Sequence, residues 1–384
     1  MGSVEVTAIS LPRETERFVK TWFDIYADEP HWVPPLYFER KRFFDPAQNP
    51  YFEVAEVAYF IARRGGRDVG TIAVSIDAVY QDHAPGTAFF GFFEFVDDEE
   101  VAGALLGAAR EWSIDRGMTR LIGPFNFNTN HEFGLLVDGF DDDPLVANPY
   151  NAAWYPRVYE AIGLRKAMDW YAYHCDAEMA GIQKMIRVSN RMMSRHPEIR
   201  VRPLELARFD EEVERVRAIY RDAWEENWAH VRVTDKEFDF IAGGLKQLID
   251  PDLCFVAEVG ERVAAISVTL PDFNQVVKRM KGRVLPFGWI HVLRKKKLMN
   301  RARVFMLGVA PEFQSLPLGA ALYARTFEVA LGKGYRYGEA SLILENNTRM
   351  RGALEKMGAR IDKTYRNYEI ALQSEAIATK EGAP

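Results

Sequence analysis

The 384 residues carry a formal net charge of −6, and 48% of them are hydrophobic and 27% charged. This length suggests two domains of roughly 100–200 residues, and the balance excludes a disordered or fibrous chain. The longest apolar candidate, Phe89 to Val96, already contains Glu94 and falls short of the ~18 residues of a membrane span.

The start, Met1-Gly2-Ser3-Val4-Glu5-Val6, has neither a basic region followed by an apolar one nor a myristoylation pattern, so a cytosolic N-terminus is expected. Tyr59 to Val74 forms two β-rich runs around Gly65-Gly66, a hairpin. A strand over Phe89–Val96 leads through an acidic turn, Asp97-Asp98-Glu99-Glu100, into a helix that Gly117 closes. A second hairpin spans Cys254 to Val268, with Phe255 in the place of Phe60, an offset of 195. Gly103 then matches Gly319 at 216, Arg116 matches Lys333 at 217, and Ala161-Ile162-Gly163 matches Lys356-Met357-Gly358 at 195 again.

Two repeats with one order of elements follow: hairpin, strand, helix, strand, helix, strand. The drifting offset requires an insertion in each. The expected division is an N-terminal domain at 4–176, a helical connector at 177–198, a C-terminal domain at 199–373 and a flexible tail at 374–384. The fold class is α/β (α+β), two tandem domains, each a mixed and largely antiparallel sheet flanked by helices. Cys175 and Cys254 lie far apart in apolar stretches, which predicts reduced, buried thiols and neither a disulfide framework nor a metal site.

In the second repeat, Arg303 to Val309 predicts a buried strand, followed by Gln314-Ser315-Leu316-Pro317-Leu318-Gly319 and a helix from Ala320. Strand, tight loop and helix N-terminus can hold a pyrophosphate on backbone N–H groups. The same arrangement also serves as an ordinary strand-to-helix turn. The loop resembles that of the Gcn5-related N-acetyltransferase (GNAT) superfamily, Gln/Arg-x-x-Gly-x-Gly/Ala, at Gln314, Leu318 and Gly319, with Pro317 where a glycine is usual. The resemblance implies acyl-CoA contacts at Leu307, Gly308, Val309, Gln314, Ser315, Leu316, Leu318, Gly319, Ala320 and Asn347. Leu354 stands where the superfamily has a tyrosine that protonates the departing thiolate; in the first repeat Tyr159 holds that place. The first repeat's own loop is acidic and would repel phosphates, so a shared active site with CoA on the second repeat is expected.

Further strings, among them His31-Trp32-Val33-Pro34-Pro35-Leu36, Gly134-Leu135-Leu136-Val137-Asp138-Gly139-Phe140, Asn148-Pro149-Tyr150-Asn151 and Leu285-Pro286-Phe287-Gly288, are similar to the YghO-like family that includes bacterial ceramide synthases. That resemblance spans nearly the whole chain. It implies transfer of a long acyl group from acyl-CoA, without a metal, to the amine of a sphingoid-type lipid.

The insertions are expected to carry the specific chemistry. Asn126 to Gly134 crowds amides, His131 and Glu132 together. Glu132 is the preferred general base and His131 the second, with Asn128 or Asn130 orienting; a self-capped Asn-rich turn is the plainer reading. Glu94 is a further candidate, because a carboxylate between phenylalanines must be paired or face a cavity. Phe273 to Pro311 holds ten Lys or Arg and no Asp or Glu, leaving the rest of the chain at −16. Phe287, Trp289, Arg294, Lys295, Lys296 and Lys297 are expected to meet a lipid substrate or an anionic membrane surface, placing the protein in the cytoplasm or peripherally on the inner membrane face. An acyl carrier protein or plain solvent are the other readings of this patch, and nucleic acid is not expected. Rival functions are acylation of a peptide, amino acid or other small amine, and a catalytically degenerate binding protein.

Overall fold

The computed structural model describes residues 2–372, apart from the side chains of Ala180 and Lys296. It forms two units. Unit 1 comprises 2–142, 148–169 and the chain from Tyr365; unit 2 comprises Asp143–Ala147 and Trp170–Thr364.

Unit 1 begins with β1 (Glu5–Ile9), α1 (Thr15–Ile25) and α2 (Tyr37–Phe43). The hairpin β2 (Ala55–Arg64) and β3 (Arg67–Asp77) follows, then the short α3 (Ala78–Gln81), β4 (Thr87–Phe95), α4 (Glu99–Ile114), β5 (Arg120–Gly123), β6 (Leu135–Asp138), α5 (Tyr155–Ala161) and the first residues of β7 (Arg165–Asp176). Unit 2 continues with α6 (Ala180–Met193), β8 (Ile199–Pro203), α7 (Phe209–Trp224), α8 (Asp235–Leu245), and the hairpin β9 (Cys254–Val259) and β10 (Arg262–Pro271). Its insertion holds α9 (Asn274–Met280), α10 (Trp289–Leu293) and α11 (Lys295–Leu298). The chain then runs through β11 (Arg301–Val309), α12 (Leu318–Gly332), β12 (Tyr337–Leu344), α13 (Thr348–Met357) and β13 (Arg360–Ala371).

The sheet of unit 1 has the order β1-β2-β3-β4-β5-β13, with β6 beside β13. Unit 2 has β8-β9-β10-β11-β12-β7. Each order carries one parallel pair, β4 with β5 and β11 with β12. The closing strands are exchanged: Tyr368 to Ala371 pair with β5, whereas Trp170 to Asp176 pair with β12. The expected domain ends at 176 and 373 therefore do not coincide with the structural units, because strand pairing rather than chain order assigns these segments. The segment 177–198 carries α6. α6 packs on α12 and α13 with Ile182 fully buried, and a Cβ on Gly181 would collide with the Met357 carbonyl.

Both repeats bury β-branched and aromatic residues on their sheets. Unit 1 has a core centred on Phe18, Trp22, Phe44, Phe92 and Phe127, with α5 adding Tyr155, Val158 and Tyr159 at helical spacing. Cys175 and Cys254 are buried and free, and burial pushes both thiols up to about 12. Among the described residues no helix is long and apolar enough to cross a membrane, and no cluster of three or more His, Cys, Asp or Glu side chains is arranged to hold a metal.

Candidate active site

In unit 2 the parallel ladder of β11 and β12 stops at Val304 opposite Ala340, although β11 continues to Val309. A bulge at Phe305 lies at this fork: Val268 pairs with Met306 and Thr269 with Val304. Beyond the fork, the β12-side edge of β11 has no ladder partner among the described residues, and Val304 to Leu307 are half-buried. An unpaired strand edge presents backbone donors and acceptors to an extended ligand. Leu307, Gly308 and Val309 lie on that edge. The Trp224 ring covers Gly308 so closely that a Cβ there would collide with it.

The loop after β11 reaches α12 through a single 3-10 turn, Pro311–Phe313, then exposed Gln314 and Ser315 and half-buried Leu316. Pro317 precedes the helix and no side chain caps it; its first turn holds no acidic residue. The first capping-position bond runs from Ala321 N–H to the Pro317 carbonyl, which leaves the N–H groups of Leu318, Gly319 and Ala320 ahead of the intrahelical ladder. A Cβ on Gly319 would meet nothing within 4 Å. Leu318 is fully buried, so its backbone alone faces the loop. Arg349, on α13, donates to the Gln314 carbonyl at 2.9 Å and places a guanidinium beside the loop. Asn347 caps α13, accepting from Met350 N–H at 3.1 Å. Bare donors, positive helix end, open space and an adjacent cation together fit a diphosphate.

The matching place in unit 1 is closed. The Asp98 carboxylate accepts from the N–H groups of Glu100 and Val101 at 2.9 and 3.2 Å and so caps α4 itself. β4 and the chain that follows β5 also remain joined past the ladder, through Phe125 N–H to the Phe90 carbonyl at 2.7 Å and Phe92 N–H to Asn126 Oδ1 at 2.8 Å.

A buried polar cluster pins the fork of unit 2. Arg303 donates to Ser341 Oγ at 2.9 Å, to the Ser341 carbonyl at 3.2 Å and to the Val146 carbonyl at 2.7 Å, and Ser341 donates to Glu339. Asp272 accepts from Val146 N–H at 3.1 Å, and burial raises its carboxyl to about 7. Arg303 thus leaves the exposed basic patch to which the sequence assigned it. Lys278 is likewise spent on Asp143, at 2.6 Å.

In unit 1 the structure brings Glu94 and Glu132 into mutual electrostatic reach. Glu94, on β4 beside a bulge where Phe92 has φ 45°, accepts from the Tyr155 hydroxyl at 2.8 Å and from the Tyr26 hydroxyl. Burial raises its carboxyl to about 7 against the lowering effect of both hydroxyls; the Glu132 charge adds to the rise and the Arg40 charge opposes it. Glu132 has the opposite environment. Burial works to raise it, but the Arg40 guanidinium, donating at 2.9 and 2.7 Å, and the Asn126 amide hold it below the usual carboxylate range. An ion-paired, low-pKa carboxylate is a weak base at neutral pH. Glu94 is better matched.

The other sequence candidates have different settings. His131 sits edge-on to Phe43 at 5.1 Å and near Tyr51 and Phe127. Asn130 N–H donates to Asn128 Oδ1 at 2.9 Å, and Asn128 is fully buried, bonded to Asp77 at 3.0 Å, as in a self-capped turn. Tyr159 is fully buried among Phe90, Phe93, Phe95 and Tyr368, and its hydroxyl has no hydrogen-bond partner among the described residues. Sequence reasoning missed Tyr26, Tyr155, Arg40 and Arg349. Only Tyr155, one helical turn before Tyr159, left a local signal.

Among the basic insertion's candidates, Phe287 is 71% and Trp289 46% exposed. Arg294 and Lys297 are exposed and Lys295 half-buried, while the Lys296 side chain lies outside the described residues.

No protein-family model matches the chain. It is 36% identical over 382 residues to the bacterial ceramide synthase of Caulobacter vibrioides, covering 97% of this chain and 98% of the relative. It is 32% identical over 366 residues to protein YghO of Escherichia coli, covering 93% and 92%. Among solved structures, a tandem GNAT protein from the clavulanic acid biosynthesis pathway superposes with a TM-score of 0.57 at 13% identity, covering 97% of this chain and all of that one. A GCN5-related N-acetyltransferase from Sphaerobacter thermophilus gives 0.50 at 12%, covering 97% and 96%. These two likenesses concern the fold, a tandem GNAT architecture. With relatives this similar over nearly their full length, the chain belongs to the family of the bacterial ceramide synthase and YghO, and is an N-acyltransferase.

Proposed function

We propose that the protein moves a long-chain acyl group from acyl-CoA to the amine of a sphingoid-type, lipid-like acceptor. The single observation carrying the donor assignment is the fork of β11 and β12 beside the uncapped α12 N-terminus, a combination that unit 1 lacks. In this reading the N–H groups of Leu318, Gly319 and Ala320 hold the diphosphate, with Arg349 adding charge. The free edge of β11 at Leu307 to Val309 holds the pantetheine arm. Donors aimed at the thioester oxygen would stabilise its developing charge.

The amine must be neutral to attack. The attack forms the C–N bond and the C–S bond breaks; CoA leaves as a thiolate and takes a proton from solvent, while the amine's proton passes to the base. We assign the proton acceptor to Glu94, whose carboxyl near 7 suits exchange at neutral pH, and treat Glu132 as the charge that tunes it. Attack is direct, because cysteines held near 12 are poor nucleophiles. A lipid-like acceptor would be met at an anionic membrane face. The name of the Caulobacter relative supports that acceptor class, since ceramide formation joins an acyl group to a sphingoid amine.

The exposed basic residues of the insertion favour one second reading, in which an acidic acyl carrier protein delivers the acyl group. Incubation with acyl-CoA of graded chain length and a sphingoid amine tests the main reading by thiol release. Release that depends on the sphingoid amine and on a long chain supports it. Release with soluble amines alone, or only from an acylated carrier protein, overturns the acceptor or the donor assignment respectively.

A further inference from the structure

The insertion between β10 and β11 has a fixed neck and an apolar tip. At the neck, Asn274 donates to the Pro144 carbonyl at 2.9 Å, and Gln275 exchanges hydrogen bonds with Asn300 at 2.8 and 3.0 Å. Val276 and Met280 are buried beneath it. At the tip, Leu285 is 73%, Phe287 71% and Leu293 75% exposed, with Trp289 between them. Four large apolar side chains within nine residues are thus exposed together in sequence, a concentration that points to a partner surface. The Trp289 indole N–H donates to the Pro286 carbonyl at 2.9 Å, so the ring's one donor is satisfied locally.

Charge surrounds this tip on one side of the sign scale only. Arg279, Lys281, Arg283, Arg294 and Lys297 are exposed, and none is ion-paired among the described residues. The stretch contains no acidic residue. An acidic protein would satisfy the charges but leave the protruding apolar residues unexplained. A bilayer with anionic headgroups satisfies both.

We propose that the tip inserts into an anionic lipid bilayer, with Leu285, Phe287, Trp289 and Leu293 entering the boundary between headgroups and acyl chains while the flanking basic groups meet lipid phosphates. This deepens the acyl-transfer reading and rests on it for its purpose, delivery of a lipid-like acceptor.

The test is cosedimentation of the full chain with phosphatidylcholine vesicles, with and without phosphatidylglycerol, using the wild type and the double variant Leu285→Ser/Leu293→Ser. Thermal melting checks that the variant is folded. The wild type should sediment with the anionic vesicles, and the double variant should bind them at least about tenfold more weakly. Thiol release from acyl-CoA with a detergent-dispersed sphingoid amine should be the same for both. Full retention of vesicle binding by the double variant overturns insertion. So does wild-type binding to an acyl carrier protein with none to vesicles. Vesicle binding that behaves as expected, without thiol release for any amine, supports insertion and overturns the acyl-transfer reading.

Discussion

The Tyr155 hydroxyl donates to Glu94 Oε2 at 2.8 Å, between residues 61 positions apart. Tyr26 donates to the same oxygen from α1's C-cap position. Two donors on one oxygen orient the carboxylate and leave its other oxygen for a proton. They do not abolish the penalty of burial, and Glu94 therefore titrates near neutrality. The pairing meets the condition that the phenylalanine-rich strand imposes on a carboxylate.

Glu94→Gln should lower turnover by roughly 100- to 10,000-fold while leaving acyl-CoA affinity unchanged. In the wild type the rate should rise with pH through about 7, as the carboxyl loses its proton, and this limb should vanish in the variant. Stability has the opposite sign. A carboxyl raised in the folded state favours folding below its unfolded pKa and loses that contribution as pH climbs through about 7. Glu94→Gln should therefore melt higher than wild type above neutral pH. Unchanged turnover at every pH would remove Glu94 as the base.

The Arg40 and Glu132 pair should tune that limb in opposite directions. Glu132 raises the Glu94 carboxyl and Arg40 lowers it, so Glu132→Gln should shift the midpoint of the pH–rate profile down and Arg40→Ala should shift it up. Glu132→Gln should keep most of its maximal turnover. If instead the activity disappears at all pH values, Glu132 itself takes the proton. Because Glu132 is held low, its own contribution to stability is present above the unfolded pKa and is lost on acidification.

The α12 N-terminus gives a charge test. Gly319→Asp should weaken acyl-CoA binding by about tenfold or more, since a carboxylate would occupy the positive helix end. Gly319→Ala should bind nearly as wild type, because its Cβ would enter open space and the backbone there is not in the positive-φ region. Calorimetric titration with CoA reads both. Equal affinity for all three proteins would place the diphosphate elsewhere.

Tyr159→Phe separates packing from proton transfer. The hydroxyl is buried with no partner among the described residues, so its removal should stabilise the fold by roughly 1 kcal/mol, measured by urea denaturation. Turnover should stay within about twofold, against the roughly 100-fold or greater loss expected for a proton-transfer group.

The repeated order of elements was legible because it is local. Hairpins, Gly-closed helices and alternating apolar residues depend on neighbours within a few positions, and the strand-loop-helix before Ala320 and the basic run are likewise contiguous in the chain. The contrast between Glu94 and Glu132 was not. It depends on Tyr26 and Tyr155 converging on Glu94, and on Arg40 crossing 92 positions to neutralise Glu132. Strand exchange escaped for the same reason: β13 and β7 have ordinary strand sequences, and only their hydrogen-bonded partners assign them to units. Sequence by itself determined which segments fold and where charge accumulates, since propensity and composition act locally. Tertiary structure alone decided which carboxylates titrate near neutrality, because desolvation and charge pairing depend on distance in space.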